Sequence, residues 1–117
     1  MADPRPTIST HVLDLELGVP AAGMPVALFR LEEDGRPELI SEHSTDADGR
    51  IASLLADALE VGEYQLVFDL SAYAATLDRD ADFFENLALG IRVDDAERSY
   101  HVPLLLSPFG ISSYRGS

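Results

Sequence analysis

Three stretches of the sequence carry side chains that can transfer protons or bind anions. They are ISTHVLD around His11, TDADGR ending at Arg50, and the C-terminal run YHVPLLLSPFGISSYRGS, which contains His101. An imidazole exchanges protons near neutral pH because its unperturbed pKa is about 6.5. The planar guanidinium of arginine binds oxyanions through a fork of donors. Two imidazoles and a guanidinium together therefore suit activation of water and stabilisation of a developing negative charge.

The absence of cysteine narrows the chemistry further. With no cysteine among 117 residues, disulfides, thiolate nucleophiles and cysteine-ligated metals are excluded. Three histidines, without an H-E-x-x-H pair or a carboxylate at ligand spacing, do not form a metal-site pattern. We therefore expect neither a metal nor another cofactor. A serine triad also lacks its usual setting, because no G-x-S-x-G segment occurs.

The TDADGR stretch offers a choice between a calcium loop and a turn. A calcium loop has glycine at its sixth position, whereas here only two residues separate Asp46 from Gly49. The pair Asp48-Gly49 favours a tight turn, in which glycine adopts a positive φ. Such a turn places Arg50 at the start of the next strand, either as solvated surface or as part of a site.

The histidines differ in their surroundings. His11 shares the strand parity of Leu13, whereas Ile8 and Val12 point to the opposite face. Both faces are thus apolar, which predicts one face in the core and the other covered by a second subunit. These residues alone leave two interpretations of His11, a hydrogen-bonded core histidine or a functional group. His43 lies in the polar stretch ISEHST and is expected to be exposed.

Alternation of apolar residues with period two recurs along the chain and predicts strands. The predicted strands are Thr7 to Leu15, Met24 to Leu31, Gly62 to Asp69, Leu87 to Val93, Tyr100 to Leu106 and a returning strand from Ile111 to Arg115. Only Ser71 to Leu77 looks helical, with Ser71 as its N-cap. Short strands separated by glycine, aspartate and proline indicate an all-β sandwich.

Length and charge limit the partners. A chain of 117 residues fits one domain, with residues 1–6 predicted as a disordered N-terminal tail and 7–117 as the folded domain. The sequence shows no signal-peptide pattern and no apolar run of about 20 residues, so a cytoplasmic protein is expected. The net charge is −13, which disfavours nucleic-acid and membrane partners. This acidity fits either simple solubility or adaptation to high salt.

Taken together, the three stretches resemble the transthyretin-like family, and specifically its 5-hydroxyisourate hydrolase branch. The similarity runs from about Ile8 to Ser117. ISTHVLD, followed by Gly18, Pro20 and Ala21, is similar to the family's N-terminal signature, TDADGR to its central one, and HVPLLLSP with the final YRGS to its C-terminal one. The YRGS ending is the most specific of these, because transthyretin itself lacks it.

The resemblance implies a fold and a set of site residues. The implied fold is a sandwich of two four-stranded antiparallel sheets with one short helix, assembled as a homotetramer whose active sites lie at subunit interfaces. The family's catalytic positions correspond to His11, Arg50, His101 and the terminal Ser117. The positions that line the same pocket correspond to Tyr114, Arg115 and Gly116.

The resemblance also implies a reaction. It is the metal-free hydrolysis of 5-hydroxyisourate, a product of urate oxidation, to 2-oxo-4-hydroxy-4-carboxy-5-ureidoimidazoline. One histidine would take a proton from water while the other donates to the leaving nitrogen or orients the water, and their assignment is open. Arg50 would stabilise the charge that develops. The alternative is a transthyretin-like carrier, which would bind a small aromatic ligand in the channel without reacting it.

Overall fold

The computed structural model describes residues 5–116, which form two β-sheets packed face to face and one short helix. The strands are β1 (Ile8–Asp14), β2 (Val19–Pro20), β3 (Pro25–Leu31), β4 (Pro37–Ser44), β5 (Arg50–Ile51), β6 (Gly62–Asp69), β7 (Asn86–Val93), β8 (Tyr100–Ser107) and β9 (Gly110–Ser113). The helix α1 spans Leu70–Thr76. The predicted all-β sandwich is therefore confirmed.

The two sheets differ in how their strands pair. The first sheet has the order β2-β1-β8-β9, and the two-residue strand β5 also pairs with β1. The second has the order β4-β3-β6-β7 and is antiparallel throughout. In the first sheet β1 and β8 run parallel, from the pair Ile8 and Tyr100 to the pair Asp14 and Leu106. The observed sheets thus differ from the predicted pair of four-stranded antiparallel sheets in two respects: β5 is an additional short strand, and β1 and β8 are parallel.

The core lies between the sheets and is built from alternate strand positions. In β1 the even-numbered residues are buried and the odd-numbered ones only partly buried, and β6 repeats this pattern from Tyr64 to Phe68. The fully buried side chains include Ile8, Met24, Leu28, Leu54, Leu66 and Phe68. Because successive side chains point to opposite faces, the face of β1 that carries His11 is turned away from this core.

The strand predictions are confirmed to within two residues at each end, but β4 and the two-residue strand β2 were not predicted. β4 is an edge strand of the second sheet, and seven of its eight residues are exposed. Its apolar residues Leu39 and Ile40 are adjacent rather than alternating. A strand that buries neither face has no period-two signal to detect.

Helix α1 begins earlier than predicted. Asp69, not Ser71, is the N-cap, and its carboxylate accepts a hydrogen bond of 3.0 Å from the backbone N–H of Ala72. Ser71 lies inside the first turn, where its hydroxyl donates to the carbonyl oxygen of Glu85 at 3.2 Å. The prediction of Ser71 as the N-cap is wrong. Serine and aspartate both cap helices well, and the helix begins at once after β6, which ends at Asp69.

The chain ends are only partly described. Residues 1–4 and Ser117 lie outside the described residues, so the predicted tail of residues 1–6 and the domain limits 7–117 remain predictions. Arg5 donates from Nη2 to the carbonyl oxygen of Ala56 at 3.0 Å. Between residues 5 and 116, no helix is both long and apolar enough to cross a membrane.

Candidate active site

The parallel pairing of β1 with β8 brings two histidines onto one face of the first sheet. In this register His101 is the partner of Ser9, and His11 lies two residues further along β1. Since paired residues on neighbouring strands point to the same side of a sheet, all three side chains lie on the outer face. Both imidazoles are partly buried there.

A tight turn between Asp46 and Arg50 places Arg50 beside His11 in the first sheet. The Asp46 carboxylate accepts hydrogen bonds from the backbone N–H groups of Asp48 and Arg50, at 2.9 and 3.0 Å. Gly49 has a φ of +76°, and a Cβ at this position would lie 2.4 Å from a carbonyl oxygen of β1. Only glycine fits this conformation and contact. Arg50 then pairs with His11 across β5 and β1, so the predicted turn is confirmed.

The same turn holds the His11 ring. The Nε2 atom of His11 lies 3.0 Å from the carbonyl oxygen of Asp48. A carbonyl oxygen only accepts hydrogen bonds, so Nε2 is the donor and carries a proton. In the neutral ring, Nδ1 is then the nitrogen with a free lone pair. His11 can therefore accept a proton from water only through Nδ1.

His101 is held through its other nitrogen. The Oγ atom of Ser9 lies 2.8 Å from Nδ1 of His101, which leaves Nε2 available to another group. Burial lowers the pKa of His101 below its ordinary value of 6.5, and the nearby His11 and Arg50 lower it further. At neutral pH the ring is therefore uncharged, the form in which an imidazole can accept a proton.

This lowered pKa predicts that His101 titrates below pH 6.5 in the folded protein. We expect NMR titration of its ring C–H signals to show this, and Arg50→Gln to move the midpoint upward, because it removes a neighbouring positive charge. Since the unfolded chain binds this proton more readily, the free energy of unfolding should fall as the pH drops below 6.5 through the folded-state pKa. A wild-type midpoint at or above 6.5 would contradict this description.

The C-terminal tail packs against the Cδ2 edge of the His101 ring. Gly116 forms an isolated bridge with His101, and its N–H donates to the His101 carbonyl oxygen at 2.8 Å. A Cβ added at Gly116 would lie 2.5 Å from Cδ2 of the ring. Such an approach is well inside van der Waals contact. Glycine is therefore required here by the closeness of the tail to the imidazole.

Replacing Gly116 with alanine is expected to displace the His101 ring or the tail. Because small misplacements of a reacting group are costly, we expect kcat/KM for the reaction at this site to fall by about 10²-fold. Thermal unfolding should change little, since Gly116 lies outside the strands and the core. The matched control is Gly110→Ala on β9, where an added Cβ meets nothing within 4 Å. Equal activity of the two variants would show that the close approach does not matter.

The other tail residues take different positions. Tyr114 is 59% exposed and borders, with Tyr100 and His101, a cleft of about 380 Å³. The guanidinium carbon of Arg115 lies 5.0 Å from the centroid of the Tyr100 ring, a cation–π contact. Tyr100 belongs to the core, so Arg115 binds the tail to the body of the domain. Ser117 lies outside the described residues, and its catalytic role remains a prediction.

The structure thus brings together His11, Arg50, His101 and Gly116, while His43 is exposed on β4 in the other sheet, as predicted. Within residues 5–116, no group of three histidine, aspartate or glutamate side chains is arranged to hold a metal ion. The polar groups available for chemistry are therefore two imidazoles with different free nitrogens and one exposed guanidinium.

The sequence of the chain matches a known family over nearly its whole length. The model of the HIUase/Transthyretin family matches residues 8–116. The chain belongs to this family. Among curated family relatives, 5-hydroxyisourate hydrolase 2 of Rhizobium meliloti (strain 1021) is 44% identical over 115 residues, which cover 94% of this chain and 95% of the relative.

Solved structures of HIUase/Transthyretin proteins have the same fold. The 5-hydroxyisourate hydrolase of Klebsiella pneumoniae has a TM-score of 0.82 and 36% identity, and the match covers 96% of this chain and 99% of that one. Sea bream transthyretin, solved in complex with thyroxine, has a TM-score of 0.85 and 27% identity, over 93% of each chain. Overall shape therefore does not distinguish a hydrolase from a transthyretin within this family.

Two polar groups at the site of this HIUase/Transthyretin chain are absent from the sequence-based prediction. The hydroxyl of Ser9 contacts His101, and the carbonyl of Asp48 contacts His11. The spacing of two residues between Ser9 and His11 puts both on one face of a strand, a signal that was available. The Asp48 contact involves the backbone and leaves no trace in residue type.

Proposed function

We propose that this chain hydrolyses 5-hydroxyisourate to 2-oxo-4-hydroxy-4-carboxy-5-ureidoimidazoline in urate degradation. The observation that carries the proposal is the convergence of His11, Arg50 and His101 on one sheet face. The names of the relatives in Rhizobium meliloti and Klebsiella pneumoniae support the substrate. The reaction needs proton transfer and charge stabilisation, and these three side chains supply both.

The geometry suggests what each group does. A water oxygen bonds to a ring carbonyl carbon and loses a proton, and the C–N bond then breaks as the leaving nitrogen takes a proton. The free nitrogens Nδ1 of His11 and Nε2 of His101 are the candidates for these two transfers. Arg50 stabilises the oxyanion of the tetrahedral intermediate through its planar fork of donors. No metal is required for any of these steps.

The alternative is a carrier that binds a small aromatic ligand without reacting it. The similarity to sea bream transthyretin, which was solved in complex with thyroxine, supports this alternative. One assay separates the two functions: purified protein is added to freshly generated 5-hydroxyisourate, and the decay of its ultraviolet absorbance is compared with the spontaneous decay. We expect decay to accelerate in proportion to protein concentration. An unchanged decay rate would favour the carrier.

We also propose that the chain is a homotetramer with its active sites at subunit interfaces. In one chain the face with His11 and Arg50 is open, and stabilisation of an oxyanion by Arg50 would be stronger if bulk solvent were kept from this face. Large apolar side chains are exposed in the turn after β1 and at the start of β2, where Leu15 is 54%, Leu17 48% and Val19 46% accessible. A second copy of the chain would cover both features.

Light scattering on the eluting protein tests the assembly. The expected mass is about four times that of the 12.7 kDa chain, and Leu17→Asp should lower both the mass and the activity because it places a charge in the apolar interface. A monomer with full activity would contradict the proposal.

The predicted cytoplasmic location also remains a proposal, which fractionation of the source cells would test.

A further inference from the structure

We propose that Ser9 is a positioning residue for His101: its hydroxyl holds Nδ1 of the ring, so that Nε2 is the nitrogen presented to the substrate. The inference rests on the proposed function for its effect on catalysis. The contact itself does not depend on that function, because it is a feature of the folded chain.

The backbone fixes the distance between the two residues. Ser9 and His101 are direct partners in the parallel ladder between β1 and β8, and this ladder continues without interruption from Ile8 to Asp14. Both strands are internal to the first sheet, since β1 lies between β2 and β8 and β8 lies between β1 and β9. The serine hydroxyl is therefore presented to the ring by two strands that cannot shift independently.

The ring of His101 is restrained on two of its edges. Ser9 occupies Nδ1 at 2.8 Å, and Gly116 approaches Cδ2 so closely that an added Cβ would lie 2.5 Å away. A rotation that moved Nε2 away from the open face would break the contact of Nδ1 with Ser9. Of the two nitrogens, only Nε2 is left without a partner in the described residues.

The His101 ring is held by a different nitrogen from the His11 ring. The Asp48 carbonyl occupies Nε2 of His11, whereas Ser9 occupies Nδ1 of His101. The two rings on this face therefore use opposite nitrogens for their support and leave opposite nitrogens free. A serine hydroxyl can donate or accept, so the same contact can persist when the ring gains or loses a proton.

Kinetics of Ser9→Ala test the positioning role. We expect kcat to fall by about tenfold to 10²-fold with KM changed less than about threefold, because the ring remains present but is less well oriented. Ser9→Thr, which keeps the hydroxyl and suits a strand, should restore most of the rate. In a His101→Asn background, Ser9→Ala should have no further effect, since it acts through the ring. The control Ser44→Ala alters an exposed serine on β4 in the other sheet.

A readout without substrate tests the contact directly. In protein labelled with ¹⁵N on histidine, at about pH 8 where imidazoles are neutral, the Nδ1 shift of His101 should report a hydrogen bond to the Ser9 hydroxyl. Ser9→Ala should change this shift because it removes the hydroxyl, and Ser9→Thr should not.

The possible outcomes separate the two proposals. Nitrogen shifts that do not change in Ser9→Ala would overturn the role of Ser9, as would wild-type kinetics in that variant. An additional loss caused by Ser9→Ala in the His101→Asn background would also overturn it, because the serine would then act by another route. Inactivity of the wild-type protein would refute the proposed function, while the nitrogen shifts would still decide the contact.

Discussion

His101→Asn is expected to lower kcat/KM for 5-hydroxyisourate by about 10²–10⁴-fold, the usual contribution of a positioned acid or base. Asparagine is close to histidine in size and can keep a hydrogen bond to Ser9, but it cannot exchange a proton near neutral pH. The fold should be retained, because the His101 side chain lies on the outer face and is only partly buried. The measurement is the initial rate of absorbance decay, corrected for the spontaneous reaction.

The matched control for this variant is His43→Asn. His43 is exposed on β4, in the other sheet, and pairs with Val26 away from the site. We expect its activity and unfolding temperature to equal those of the wild type. If His101→Asn also retained the wild-type rate, His101 would have no part in the reaction, and the mechanism would have to be built on other groups.

Arg50→Gln is expected to lower kcat by about 10²–10³-fold, the effect typical of removing one oxyanion-stabilising donor group. Glutamine keeps a polar side chain but lacks both the charge and the fork of the guanidinium. Arg50→Lys should recover only part of the loss, because a lysine supplies charge without bidentate geometry. Steady-state kinetics of both variants, at constant ionic strength, provide the measurement.

The control for Arg50 is another exposed arginine remote from the site. Arg36 forms a surface ion pair of 2.6 Å with Asp34 in the turn between β3 and β4, and such pairs contribute little. Arg36→Gln should therefore leave kcat unchanged. Equal effects of Arg36→Gln and Arg50→Gln would mean that the loss reflects net charge and not a specific contact with the substrate.

Much of the fold could be predicted because its strands bury one face. In β1 and β6 the alternation of residues reports burial directly, and both strands lie where the sequence places them. β4 was missed because it is exposed on both faces. The N-cap was misplaced from Asp69 to Ser71 because local propensity does not show where a preceding strand ends.

The site could be predicted in part. The turn that carries Arg50 follows from the aspartate and glycine of TDADGR, since Gly49 adopts the positive φ expected of it. The contact of Ser9 with His101 could not be derived, because it depends on a parallel register between strands that are 92 positions apart in the chain. Neither periodicity nor composition specifies the register of such a distant pair.

The neighbours of Gly116 could not be predicted from the sequence. The resemblance assigns it to the substrate pocket, and in the structure a Cβ added to it would meet the ring of His101. A glycine in a sequence does not reveal which atom approaches it. Only the antiparallel bridge between Gly116 and His101 shows that the tail packs against this histidine.

A crystal structure of the assembled protein with a stable urate-like analogue tests the central claim most directly. We expect the analogue to lie on the outer face of the first sheet, with a ring oxygen within hydrogen-bond distance of Arg50 and polar atoms facing Nδ1 of His11 and Nε2 of His101. An analogue bound elsewhere, with these three side chains contacting only solvent or a neighbouring subunit, would contradict it.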